Sequence, residues 1–227
     1  MSLDRCAAVV AAAIALTTFC ACERLPGKPL PSARPELPSQ VTNFDQLYSV
    51  NCAGCHGADG HFGGALPLNN QAYLALVDDA SMRNAIANGI TGTSMPAFAV
   101  SSGGMLTDDQ ITAIVNGVRS KWGAEGRQIE GAPPYLSSKV GDAARGARLF
   151  GDYCVSCHGA GGTGGTAGTI TSPSFLALYN DQTLRTLIIA GRPDLGHRGW
   201  RDYPDKPALD SAQVSDIVAW LAAKCGS

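Results

Sequence analysis

Between residues 106 and 118 the chain reads LTDDQITAIVNGV, with apolar side chains at Ile111, Ile114, Val115 and Val118, the spacing of one helical face. LDSAQVSDIVAWL at 209–221 repeats the pattern with Val214, Ile217, Val218 and Leu221. Thr107 and Asp210 stand just before these runs, and each carries a side-chain oxygen able to cap a helix start. Shorter helical segments are expected in DQLYSV and ARGARLFGDY, and over 81–88 and 183–190. No stretch alternates with the period of two that a strand requires. The fold class read from this pattern is all-α with long glycine-rich loops.

The pairing of these segments is general, because a shift of 102 residues matches the chain to itself. Cys52-Ala-Gly-Cys55-His56-Gly57 falls on Cys154-Val-Ser-Cys157-His158-Gly159, Leu47-Tyr48 on Leu149-Phe150, and Tyr73-Leu74-Ala75-Leu76 on Phe175-Leu176-Ala177-Leu178. Arg83 and Gly89 meet Arg185 and Gly191; one extra residue then brings Leu106 onto Leu209. Two homologous domains are therefore expected, at 41–122 and 139–227. Residues 123–138, GAEGRQIEGAPPYLSS, show no apolar periodicity and read as a linker.

The N-terminus differs from both. Residues 1–21 carry a basic start at Arg5 and an apolar run of about 14 residues, which reads as an export signal or an N-terminal anchor. Phe19-Cys20-Ala21 before Cys22 resembles the bacterial lipobox, with Phe19 where leucine is usual, and makes Cys22 the candidate for lipidation. A cleaved signal and an uncleaved anchor are the alternatives. Residues 22–40 include five prolines and form an extended tether.

Composition narrows the function. An apolar content of 45% supports folded cores, while 27 glycines and 13 prolines point to loops that wrap something. A net charge of −2 gives no basic face for nucleic acid. Residues 41–130 hold four basic and eight acidic side chains, against nine and eight in 139–227. Arg192, Arg198 and Arg201 bracket His197, where they could offset a bound anion, steer an acidic partner or simply be solvated.

The chemistry lies in Cys-x-x-Cys-His, present twice, the attachment signature of c-type haem. Cysteines three apart share one face of a helical turn, so Cys52 with Cys55, and Cys154 with Cys157, can add to the two vinyl groups of one porphyrin. His56 and His158 follow as proximal iron ligands. A Cys₄ zinc knot would leave both histidines and the whole-domain repeat unexplained.

With CHGADG at 55–60 and GTSMPAF at 92–98, both halves resemble the class I cytochrome c family. The resemblance implies two tandem cytochrome c-like domains, each wrapped around one covalently attached haem c, with Met95 as sixth ligand of the first iron. Met82 and Met105 are expected to fill the core instead. The shift places His197 where Met95 stands, so His158 and His197 form the expected bis-histidine pair, with a surface His197 or ligation by Tyr203 as alternatives. His61 has no partner in the repeat and is read without a ligand role. The glycine-rich run 159–168 lacks the Lys-Ser/Thr of a phosphate loop.

The function implied is single-electron transfer in a periplasmic respiratory or photosynthetic chain, with no catalytic residue and no small-molecule substrate. Expected partners are a quinol-oxidising complex, dehydrogenase, terminal oxidase or soluble cytochrome. The membrane would be reached through the N-terminal lipid or anchor. A dihaem peroxidase and a haem-based gas or redox sensor are the alternatives. Cys225 is left over, and could pair with Cys20 or Cys22 if the leader is retained.

Overall fold

The computed structural model describes residues 35–123 and 129–224; the leader, Cys22 with the tether up to 34, and Cys225 lie outside the described residues. The chain divides into Met1–Pro38 and Ser39–Ser227, and both repeat halves lie in the second unit.

Each half runs through five α-helices in the same order. The first half has α1 Phe44–Asn51, α2 Ala53–His56, α3 Gln71–Leu76, α4 Asp79–Asn88 and α5 Asp108–Trp122. The second has α6 Ala143–Tyr153, α7 Val155–His158, α8 Pro173–Leu176, α9 Asp181–Ala190 and α10 Ser211–Ala222. Extended pairing among the described residues is confined to the isolated bridges Ala99 to Leu106 and Arg192 to His197. Thr107 and Asp210 cap α5 and α10, each in a reciprocal capping box with the glutamine three residues on. All eight apolar residues of the two terminal faces are buried. Met82 joins the first core, whereas Met105 is 83% exposed because the chain turns outward at Gly103-Gly104 just before it.

In each half the first helix crosses the last so closely that one partner must be glycine. A Cβ on Gly117 of α5 would lie 2.0 Å from the Phe44 ring of α1. In the second half the roles are exchanged: a Cβ on Gly146 of α6 would lie 2.0 Å from the Asp216 carbonyl oxygen and 2.9 Å from Trp220 Cβ on α10. By the repeat, Phe44 corresponds to Gly146 and Gly117 to Trp220. Aromatic and glycine have changed helices, and the close crossing is kept.

The halves are joined along α3 and α9. Asn70, 5% exposed, accepts from the N–H groups of Ala72 and Tyr73 at the start of α3 and donates to the carbonyls of Ala190 (3.0 Å) and Gly191 (3.2 Å) at the end of α9. One side chain thus serves both orphan donors and orphan acceptors. Asn180 adds a bond to the Thr91 carbonyl at 3.0 Å.

Residues 129–136, expected as open linker, are a strap packed on the protein. Ile129 and Ala132 lie against the second core and Tyr135 against the first. Arg185, 2% exposed, donates to the carbonyls of Pro134 (2.8 Å) and Tyr135 (3.1 Å) and to the hydroxyls of Ser211 and Ser215. Its repeat partner Arg83 makes the corresponding contacts with Asp108 and Thr112 near the surface, without a strap.

Two stability predictions follow from the α6–α10 crossing. Gly146→Ala forces backbone to move and should cost about 1–3 kcal/mol, whereas Gly151→Ala, in the same helix with open space around it, should stabilise by about 0.5–1 kcal/mol; denaturant unfolding of the two variants reads both signs. Asp216 accepts from Arg145 Nε at 2.8 Å and from the Asp142 N–H at 2.6 Å, and Arg145 holds its carboxyl below the usual range against the opposing effect of burial. Its contribution is therefore present above the unfolded value of about 3.9 and is lost as pH falls through the lower folded value. The stability difference between the parent and Asp216→Asn should shrink across that acid window and be flat from pH 5 to 7.

Candidate functional site

Each Cys-x-x-Cys-His motif is a one-turn helix set directly onto the preceding one. Cys52 and Cys154 end α1 and α6 and begin α2 and α7, so each motif projects from the rigid crossing of its half. The following loop folds back identically in both: the Ala65 N–H donates to the Cys55 carbonyl and the Ala167 N–H to the Cys157 carbonyl, each at 2.9 Å. Cys52 and Cys154 are half-buried, Cys55 and Cys157 exposed. Burial pushes the Cys52 thiol up to about 11 and that of Cys154 up to about 12, the neighbouring cysteine adding to each shift. Among the described residues no three or more His, Cys, Asp or Glu side chains gather to share an ion.

The two histidines of the motifs are held differently. His56 Nδ1 lies 2.7 Å from the Leu66 carbonyl, which accepts its proton and leaves the other ring nitrogen free as a lone-pair donor. Burial keeps the imidazole neutral, with the Leu66 bond opposing and the Arg192 charge assisting. His158 is buried, and its Nδ1 has no hydrogen-bond partner among the described residues. Burial likewise holds it towards the neutral form.

The opposite side of each site is built on a glycine at the end of the central helix. Gly89 and Gly191 end α4 and α9 with φ of +69° and +68°. A Cβ on Gly89 would fall 2.7 Å from the Met95 carbonyl oxygen, and one on Gly191 2.8 Å from that of His197. The Ile90 N–H donates to the Met95 carbonyl at 3.1 Å, and the Arg192 N–H, 102 positions later, to the His197 carbonyl at 3.0 Å. Met95 and His197 thus occupy the same backbone position. Met95 is half-buried against the first core.

His197 and His158 face one another with ring centroids 5.6 Å apart. His197 Nδ1 is also buried without a partner, and its pKa is pushed down to about 4 by burial, then by His158 and Arg192. Metal–imidazole bonds of about 2 Å would place two rings on opposite sides of one ion roughly 6 Å apart between centroids. The separation of the rings, and the burial that lowers the pKa of both, fit a metal held between them. Tyr203 instead packs edge-on against Tyr153 at 5.1 Å. His61 lies in the loop after the first motif, its Nδ1 2.9 Å from Asn69 Nδ2.

Each half also matches a known family. Residues 39–116 match the family described as cytochrome c oxidase, cbb3-type, subunit III, and residues 143–223 match the family described as cytochrome c. The chain carries two tandem cytochrome c-type domains. As a tandem cytochrome c it carries two covalently bound haem c groups. It is 30% identical over 138 residues to the cbb3-type cytochrome c oxidase subunit FixP of Sinorhizobium medicae, covering 56% of this chain and 42% of that one. It is also 30% identical over 126 residues to the subunit CcoP of Azospirillum sp., covering 49% and 37%. This cytochrome therefore spans about two fifths of the length of the curated relatives it matches. A chain of the Kuenenia stuttgartiensis reducing HAO-like protein complex is similar at 18% identity with a TM-score of 0.47, covering 84% of this cytochrome and 99% of that chain.

Of the arginines around His197, Arg198 and Arg201 are exposed. Arg192 is not: it is paired inward with Asp194 at 2.8 Å. The signal was in Arg192-Pro193-Asp194, where the carboxylate two residues on captures the guanidinium and turns it from solvent. Among the described residues no helix is long and apolar enough to cross a membrane.

Proposed function

We propose that this cytochrome relays single electrons between redox partners on the periplasmic side of a bacterial membrane, using one haem in each half. Cys52 and Cys55 would hold the first haem, with His56 and Met95 as the side chains offered to its iron, and Cys154 and Cys157 would hold the second, with His158 and His197. The observation that carries the reading is the matched backbone position of Met95 and His197, together with the 5.6 Å between the His158 and His197 rings in the second half. Bound haem supplies a one-electron iron couple. The chain's residues set its potential and its access: a thioether favours ferrous iron and an imidazole ferric iron, so the second site has the lower potential.

An electron entering at the second half therefore passes to the first. The exposed Arg198 and Arg201 offer the second half a basic docking face, and the more acidic first half meets the acceptor. The named relatives are oxidase subunits, which favours a terminal oxidase as that acceptor. Lipidated Cys22, or an uncleaved leader, holds the chain at the membrane, and the proline-rich tether gives it reach.

Spectropotentiometry on two ligand variants tests the assignment. His197→Met should raise the potential of the second haem by tenths of a volt, within the roughly 0.8 V range that axial ligands command, and leave the first nearly unchanged. Met95→Ala should abolish the near-infrared charge-transfer band of ferric methionine ligation while leaving the second haem's spectrum intact. An unmoved second potential, or a surviving band, overturns the corresponding ligand.

A further inference from the structure

The backbone of Arg192 is bonded to His197 in both directions: its N–H donates to the His197 carbonyl at 3.0 Å and its carbonyl accepts from the His197 N–H at 2.9 Å. Its guanidinium leaves this loop and enters the other half, donating from Nη2 to the Gly63 carbonyl at 3.0 Å. Gly63 lies flat on the first motif, so close that a Cβ there would sit 2.1 Å from the Cys55 carbonyl oxygen and 2.6 Å from the His56 carbonyl carbon. Asp194 completes the link. It takes two bonds from Arg192, at 3.0 and 2.8 Å, and accepts the Phe62 N–H at 3.1 Å. Phe62 has φ of +59°, a costly conformation for a bulky residue, at the point where its N–H is captured.

The pair is nearly enclosed, with side chains 11% and 6% exposed. It is not inherited from the repeat, since the corresponding first-half residues are Ile90 and Gly92. Nor is it the sole tie between halves, because Asn70 and Asn180 bridge elsewhere. What distinguishes it is location: a short chain of hydrogen bonds runs from His197 through Arg192 to Gly63, which packs against the backbone of Cys55 and His56.

We propose that Arg192 and Asp194 are positioning residues that lock the second site's distal loop onto the first site's motif and place both haems in one shared electrostatic environment. The pair is neutral as a whole, and both members reach from the second site's loop to the loop that follows the first motif. The consequence is that an unbalanced charge at this point moves both haem potentials together. A positive charge disfavours ferric iron and a negative charge favours it.

The inference rests on the two-haem reading above, and the test separates the two. The full-length haem-loaded protein is titrated as parent, Arg192→Gln, Asp194→Asn, the double variant and Arg192→Lys. Arg192→Gln strands the carboxylate, and at a fixed applied potential the reduced-to-oxidised ratio of both haems should fall about threefold or more. Asp194→Asn strands the guanidinium and should raise both ratios. The double variant and Arg192→Lys should return both towards the parent. A shift confined to one haem, or shifts of the same sign in both single variants, overturns the proposal, because a merely structural role would not produce paired shifts of opposite sign. A parent with fewer than two low-spin haems would instead overturn the ligand assignment on which it rests.

Discussion

Both halves of the molecule depend on one close approach: the loop carrying Met95 or His197 lies directly against the backbone at the end of the central helix. Only a residue without Cβ can stand there, and Gly89 and Gly191 do so in the left-handed region. Because the contact is made by backbone, the side chain presented on the far side is free to differ. The same scaffold therefore offers sulfur in one half and imidazole in the other, from one backbone position.

A related economy governs the helix crossings. Phe44 over Gly117 and Trp220 over Gly146 fill the same space with aromatic and glycine exchanged. Each crossing fixes the helix from which a Cys-x-x-Cys-His turn springs, while the glycine-seated loop fixes the opposing donor. The halves then share contacts through Asn70, the 129–136 strap on Arg185 and the Arg192–Asp194 pair, all of which join backbone carbonyls or amides to side chains. Polar groups that would be orphaned at helix ends and loop turns become the cement of the interface.

Much of this was legible before the structure. The terminal helices, their caps and the whole repeat follow from spacing, because long amphipathic helices write their period plainly. The helices α3 and α8 were not legible as helices: six and four residues do not complete enough turns to show a period. The strap carries no pattern because it is held mainly through carbonyl groups, and nothing in an aligned Arg83 and Arg185 reveals that only the latter is buried under it. Arg192 was grouped with its exposed neighbours because a count of charges does not register which carboxylate lies within reach. The sequence motifs name the candidate donors of both sites; the burial of the His158 and His197 ring nitrogens needed coordinates.

The central claim is that one scaffold holds two six-coordinate irons with different sixth ligands. Low-temperature electron paramagnetic resonance of the fully oxidised full-length protein, integrated against total iron, tests it most directly. The account predicts two low-spin ferric haems per chain in equal amounts, one with the signal of histidine–methionine ligation and the other with that of two imidazoles. A high-spin signal accounting for half the iron, or two haems with the same ligand signature, would contradict it.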